Sequence, residues 1–179
     1  MPGRMARSMM HQARKGHKSA KSSTRTSRRP ARSHATSTPK KDPALQAFFD
    51  ELTACLTAGD GGGAATCFEY PALMVMSNRT KYGPNQPLPD VGTVAGFFAK
   101  APEMYQARGI TDTFADIEDV QWLADDLAAV RVRFPYIDNN GNDMGDGETS
   151  LYVLRKDGDT YRICTAVTLG VDSDRGGSA

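Results

Sequence analysis

In Leu127–Ile137, LAAVRVRFPYI, apolar and charged residues alternate: Val130, Val132, Phe134 and Tyr136 fall on one side of an extended chain, Arg131 and Arg133 on the other. A strand of this kind has one dry and one wet face, as in an antiparallel sheet covered on one side only. Upstream, Ala124-Asp125-Asp126 is a turn, and Thr111–Leu123 holds a strand that ends in the single tryptophan, Trp122. Downstream, Thr149–Lys156 and Tyr161–Leu169 read as two further strands joined by a turn at Asp157-Gly158-Asp159. Together they predict a meander of four antiparallel strands.

The connection Asp138–Glu148, DNNGNDMGDGE, is rich in oxygen side chains and glycine, so a calcium loop is the first alternative to test. Asp138, Asn140 and Asn142 fall at the first, third and fifth positions of an EF-hand, but its glycine position holds Asp143 and its final glutamate position holds Thr149. Asn-Gly and Asp-Gly instead supply the positive φ angles of tight turns, and the stretch is read as a hairpin connection. No metal site is expected.

Ahead of the meander lie helices. Asp42-Pro43 is an N-cap followed by a first-turn proline, and Leu45, Phe48, Phe49, Leu52, Cys55 and Leu56 recur at intervals of three and four. The run GDGGG, 59–63, stops this helix, and Ala64–Phe68 is expected to form a short second one. Glu69–Met76, EYPALMVM, reads as a strand that turns at SNRT into Lys81-Tyr82-Gly83 as a hairpin, with GPNQPLPD as loop. Asp90 caps a longer helix whose buried stripe is Val91, Val94, Phe97, Phe98, Met104 and Tyr105, kinked or restarted at Pro102.

Charge divides the chain. Residues 1–41 hold twelve of the 22 basic residues and none of the 21 acids, so this tail carries +12 and the remainder −11. From Lys15 to Lys41 there is no aromatic or large aliphatic side chain, a composition that predicts disorder. At the start, Met5, Ala6, Met9, Met10 and Ala13 share a helical face opposite Arg7, His11, Arg14 and Lys15, the pattern of an organelle transit peptide. The tail is a solvated extension, a polycation for nucleic acid or another anionic surface, or that targeting segment. The expected organisation is a disordered basic tail at 1–41, an α+β domain at 42–171 and a disordered end at 172–179.

All three histidines, His11, His17 and His34, lie in the tail, which removes imidazole chemistry from the domain. Cys55, Cys67 and Cys164 are odd in number and form no C-x-x-C pair, which favours buried thiols in a reducing compartment. No apolar run reaches the roughly 18 residues of a membrane span, and no signal-peptide core is present. The expected location is cytoplasmic, or organellar if the tail is a targeting segment.

The segments ALQAFFDELTACLTAGD leading into FEYPALMVMS, then VAGFFAKAPEMY, then the closing GDTYRICTAVTLG, resemble the nuclear transport factor two-like superfamily with its SnoaL-like and ketosteroid-isomerase-like members. The resemblance covers roughly Pro43–Val171. It implies a cystatin-like α+β cone: a strongly curved, mostly antiparallel sheet wrapped around the N-terminal helices, with a pocket between them.

That resemblance implies a ligand pocket drawn from Phe48, Tyr70, Met74, Tyr82, Phe98, Tyr105, Phe114, Trp122 and Phe134, with Met76, Phe97, Met104 and Tyr152 as further candidates. Ketosteroid-isomerising members are expected to carry an aspartate base after the short helix and a tyrosine in the first helix. This chain has Ser77-Asn78 and Phe48-Phe49 there. An Asp-Arg-Asp set, as in epoxide-hydrolase-like members, would need Asp112 or Asp116, Arg131 and Asp138. The candidate catalytic residues are therefore Asp112, Asp116 and Arg131, with Tyr136 as oxyanion donor. The expected function is binding of a small hydrophobic molecule without a cofactor, in a homodimer formed through the outer sheet face near Arg131, Arg133, Arg155 and Arg162. The alternatives are Asp/Tyr acid–base catalysis on such a molecule and a dimeric platform that presents the basic tail.

Overall fold

The computed structural model describes residues 42–175. The tail, with the readings attached to it, and residues 176–179 lie outside the described residues.

Helix α1, Pro43–Ala58, starts where the sequence requires: the Asp42 carboxylate accepts from the Ala44 amide at 3.0 Å, and Pro43 occupies the first turn. Leu45, Phe48, Phe49, Leu52 and Leu56 are buried along one face. Gly59, at φ 70°, ends the helix in the left-handed conformation. Helix α2 spans Gly61–Thr66 rather than starting at Ala64, because the Asp60 side chain caps it through the Gly63 amide at 2.8 Å. The glycines that read as a stop are also a packing device. A Cβ on Gly61 would lie 2.1 Å from the Ala95 carbonyl oxygen, so helix α4, Val91–Phe98, seats on α2 only at a bare backbone.

Strand β1, Phe68–Met76, forms a hairpin, but its partner is β2, Gln86–Leu88, within the stretch expected to be loop. Lys81 and Tyr82 belong instead to a helical turn, α3, Arg79–Tyr82, capped by Asn78. The long helix divides at Pro102 into α4 and α5, Ala101–Gln106, with the proline in the first turn of α5. Val94 is buried as expected, whereas Val91 and Met104 are exposed.

The meander comprises β3, Asp112–Thr113, and β4, Asp116–Ala124, both paired to one side of β5, Leu127–Ile137, followed by β6, Asp143–Asp157, and β7, Thr160–Val171. Strand β1 joins β7 in parallel, giving the order β2-β1-β7-β6-β5-β3. Register shifts occur in the pairings of β1, β4, β5, β6 and β7. Such bulges bend strands and increase their twist, and this mixed α+β sheet is curled and unclosed. Its concave side carries Val130, Val132, Leu154 and Ile163 against Phe49, Leu52 and Leu45 of α1 in one core.

The chain does not become irregular at Val171. Residues Asp172–Arg175 form a short helical turn, α6, because their polar groups find partners: Arg133 Nε donates to Asp172 at 2.8 Å, and the Ser173 amide and hydroxyl donate to Asp146 at 3.1 and 3.0 Å. Asp174 accepts from the Tyr82 hydroxyl at 2.6 Å and pairs with Lys81. Among the described residues no helix is long and apolar enough to cross a membrane.

Candidate functional site

Between the helices and the concave sheet is a cavity of about 620 Å³. Strand pairing builds its floor in three rows. Met74, Ala166 and Tyr152 are neighbours across β1, β7 and β6, as are Met76, Thr168 and Ser150, and at the far end Val171, Glu148 and Phe134 cross β7, β6 and β5. Leu52 and Leu56 of α1 and Phe97 and Phe98 of α4 supply apolar wall, while Ala101, Met104, Tyr105 and Arg108 come from α5 and the residues after it. Tyr82 closes one side. Gly170 makes room for it, since a Cβ there would meet the Tyr82 hydroxyl at 3.1 Å and the glycine's φ is +98°.

The chemistry is concentrated at the far end. Glu148 lies on the inward face of β6, is half-buried and lines the cavity. Ser150 Oγ donates to Glu148 Oε1 at 3.2 Å. Burial pushes the Glu148 carboxyl above the usual glutamate range, opposed more weakly by the Ser150 hydrogen bond and the Arg108 charge. The phenol of Tyr136 is pushed up to about 12 by burial first and then by the Glu148 charge. Tyr105 and Tyr152 move the same way for the same two reasons. All three phenols are therefore neutral groups able to donate.

Arg108 stands beside this cluster. Its Nη1 donates to the Tyr136 hydroxyl at 3.1 Å, its guanidinium lies 4.5 Å from the centre of the Tyr136 ring, and Nη2 is 3.6 Å from Asp146. Among the described residues there is no group of three or more acids, cysteines or histidines placed to hold a metal ion. Burial raises the Cys67 thiol to about 11, which keeps it protonated and a poor nucleophile.

Of the residues singled out from the sequence, Met74, Tyr82, Phe98, Tyr105, Phe134 and Tyr136 line the cavity, as do Met76, Phe97, Met104 and Tyr152. Phe48 does not, because it packs edge-on against Phe49 and Tyr161 on another side of α1. The Tyr70 hydroxyl donates to the Ala65 carbonyl at 2.7 Å, outside the lining. Phe114 and Trp122 are 52% and 47% exposed, Trp122 on a strand, β4, of mostly exposed residues.

The Asp-Arg-Asp set does not assemble. Asp112 and Asp116 are exposed, and Arg131 points outward between Val130 and Val132 to pair with Glu118 at 2.7 Å. The Asp138 carboxylate is taken up by the Asn140 and Asn142 amides at 2.8 and 2.9 Å, as a turn residue.

Glu148, Arg108, Ser150, Gln86 and Thr168 are the polar cavity residues that the sequence reading missed. Glu148 had a signal: continuing the period of two backward from Leu154 through Tyr152 and Ser150 reaches it. Starting the strand at Thr149 concealed that. Arg108 carries no comparable signal, since it follows a helix end.

Residues 41–170 match the family described as NTF2-like protein (DUF6841). Among solved structures, a domain of unknown function with a cystatin-like fold from Nostoc punctiforme is similar at 19% identity, with 70% of this chain and 74% of that one covered and a TM-score of 0.53. A protein of unknown function from Mycobacterium tuberculosis is similar at 16% identity, with 76% of each chain covered and a TM-score of 0.50. No curated protein matches. At these identities the structural likenesses speak for the fold, and the family match and the curled sheet agree: the chain belongs to the NTF2-like family DUF6841.

Proposed function

We propose that the cone binds a small, largely apolar molecule that carries one polar group, with the apolar body against Met74, Met76, Phe97 and Phe98 and the polar group at Glu148. The observation that carries this reading is the cavity itself: about 620 Å³ of mostly apolar wall, with its two charged side chains, Glu148 and Arg108, toward the same end. A plain core would fill that space with side chains, since interiors pack to near crystal density.

Naphthylmethanol, which is neutral and fits the volume, tests the proposal by calorimetric titration of the full chain. Saturable binding is expected, weakened about tenfold or more by Ala166→Leu, which adds side chain to the cavity floor. Binding that is absent, or that ignores Ala166→Leu in a variant whose circular dichroism matches the parent, contradicts it.

A second reading, acid–base turnover of the bound molecule, is favoured by one observation: a carboxyl raised by burial next to three neutral phenols. A carboxyl whose ionisation is disfavoured by burial can exchange a proton with a bound molecule, with a phenol available for a developing oxyanion. Glu148 takes the base role considered for Asp112 and Asp116, and Tyr136 keeps the donor role. Glu148→Gln would then still bind naphthylmethanol, through the apolar wall, and lose turnover of any substrate found.

Dimerisation through the convex face belongs to the same proposal. Two rows of side chains support it: Leu73, Thr165, Val153 and Ala129, and beside them Val75, Val167, Leu151 and Arg131. The arginines expected to contribute to the interface are engaged within the chain: Arg131 with Glu118, Arg133 with Asp172, Arg155 with Glu69 and Asp126, and Arg162 with the Thr66 carbonyl. The aliphatic rows are thus the stronger support.

A further inference from the structure

Two charged side chains line the cavity, Glu148 and Arg108, and they are placed differently. The Arg108 charge is already used, against the Tyr136 hydroxyl at 3.1 Å, the face of its ring and Asp146 at 3.6 Å, and its side chain reaches solvent. Glu148 has a neutral hydrogen bond from Ser150 and, among the described residues, no cation within ion-pair distance. Around it stand aromatic rings, Tyr105 and Tyr136 at 6.5 Å from each other and Phe134 and Tyr152 at 6.2 Å. Ring faces are electronegative and attract positive charge, and Tyr105, Tyr136 and Tyr152 line the same cavity as the carboxylate, with Arg108 already over the Tyr136 ring.

A buried carboxylate without a cation is costly, and a ligand that brings the cation removes that cost. We propose that the cavity selects molecules bearing a protonated amine on an apolar body, the ammonium pairing with Glu148 between the rings of Tyr105, Tyr136 and Tyr152. The inference rests on the cavity being a ligand site and adds the class of the head group. The upward displacement of the Glu148 carboxyl and of all three phenols agrees with it, since each reports a place where burial disfavours negative charge more than Arg108 or Ser150 favours it.

Three probes of one shape separate this inference from the reading beneath it: naphthylmethylamine, naphthylmethanol and naphthoate, titrated calorimetrically into the full chain at neutral pH. The amine is expected to bind about tenfold or more tighter than the alcohol, because hydrogen bonds between charged groups exceed neutral ones by about that factor. In Glu148→Gln the amine's advantage over the alcohol should disappear, whatever the change in the alcohol's own affinity. That variant also controls for diffuse attraction of amines to an acidic domain. An amine no tighter than the alcohol, or a preference that survives Glu148→Gln, overturns the amine assignment and leaves the apolar pocket standing. Tightest binding of naphthoate overturns it in favour of Arg108. Failure of all three to bind overturns both readings.

Discussion

At the scale of single residues, Glu148 carries most of the account, and its environment fixes the sign of a stability effect. Its carboxyl is raised in the folded chain by burial, so the folded state disfavours the charged form. The contribution of this group to stability is fully present below the ordinary glutamate pKa and is lost as pH rises through the raised one. Glu148→Gln cannot ionise and keeps the Ser150 hydrogen bond through its amide oxygen. Urea unfolding is therefore expected to show the variant more stable than the parent at about pH 8, with the difference shrinking toward about pH 4. Equal stability at both values, or a less stable variant at the higher one, contradicts the placement of the carboxyl. The same residue shows the limit of reading one sequence. Phe134 and Tyr136 were legible as inward because β5 alternates cleanly, whereas Glu148 sits among glycines and acids that look like loop, and the pairing of Phe134 with Glu148 makes it strand.

At the scale of elements, α4, which supplies Phe97 and Phe98 to the cavity wall, sits directly on α2. The contact depends on Gly61, whose absent side chain lets the Ala95 carbonyl approach. Gly61→Ala would gain helix propensity of about 1 kcal/mol in isolation. Here the clash with backbone dominates, and the variant is expected to lose stability by about 1–3 kcal/mol in urea unfolding. A neutral or stabilised variant would mean that α4 does not pack so closely. The helices and the meander were legible because caps, periodicity and turns agree locally: Asp42 caps α1, and the β5 alternation sets both faces of the sheet. Three features were not. The return strand β2 contains Pro87, which masks a strand in sequence, and is defined by pairing with Ala72 to Met74. Helix α2 begins in glycines whose reason is another helix. The turn α6 exists through contacts to Arg133, Asp146, Lys81 and Tyr82, all distant in sequence.

At the scale of the molecule, the convex face and the cavity make separate claims. Sedimentation of the full chain is expected to give twice the 19.3 kDa chain mass, and Val167→Glu, in the middle of the aliphatic rows, to give the monomer. A parent that sediments as a monomer at high concentration removes the dimer without touching the pocket. The central claim is that a small molecule enters the cone and lies along its apolar floor, and the methionines report on it directly. Met74, Met76 and Met104 line the cavity, while Met144 is exposed on β6 outside it. In a methyl-labelled methionine spectrum titrated with naphthylmethanol, the resonances of Met74, Met76 and Met104 should shift together and saturate while Met144 stays still. Shifts at Met144 alone, or none at Met74 and Met76 up to the solubility of the probe, would contradict the account.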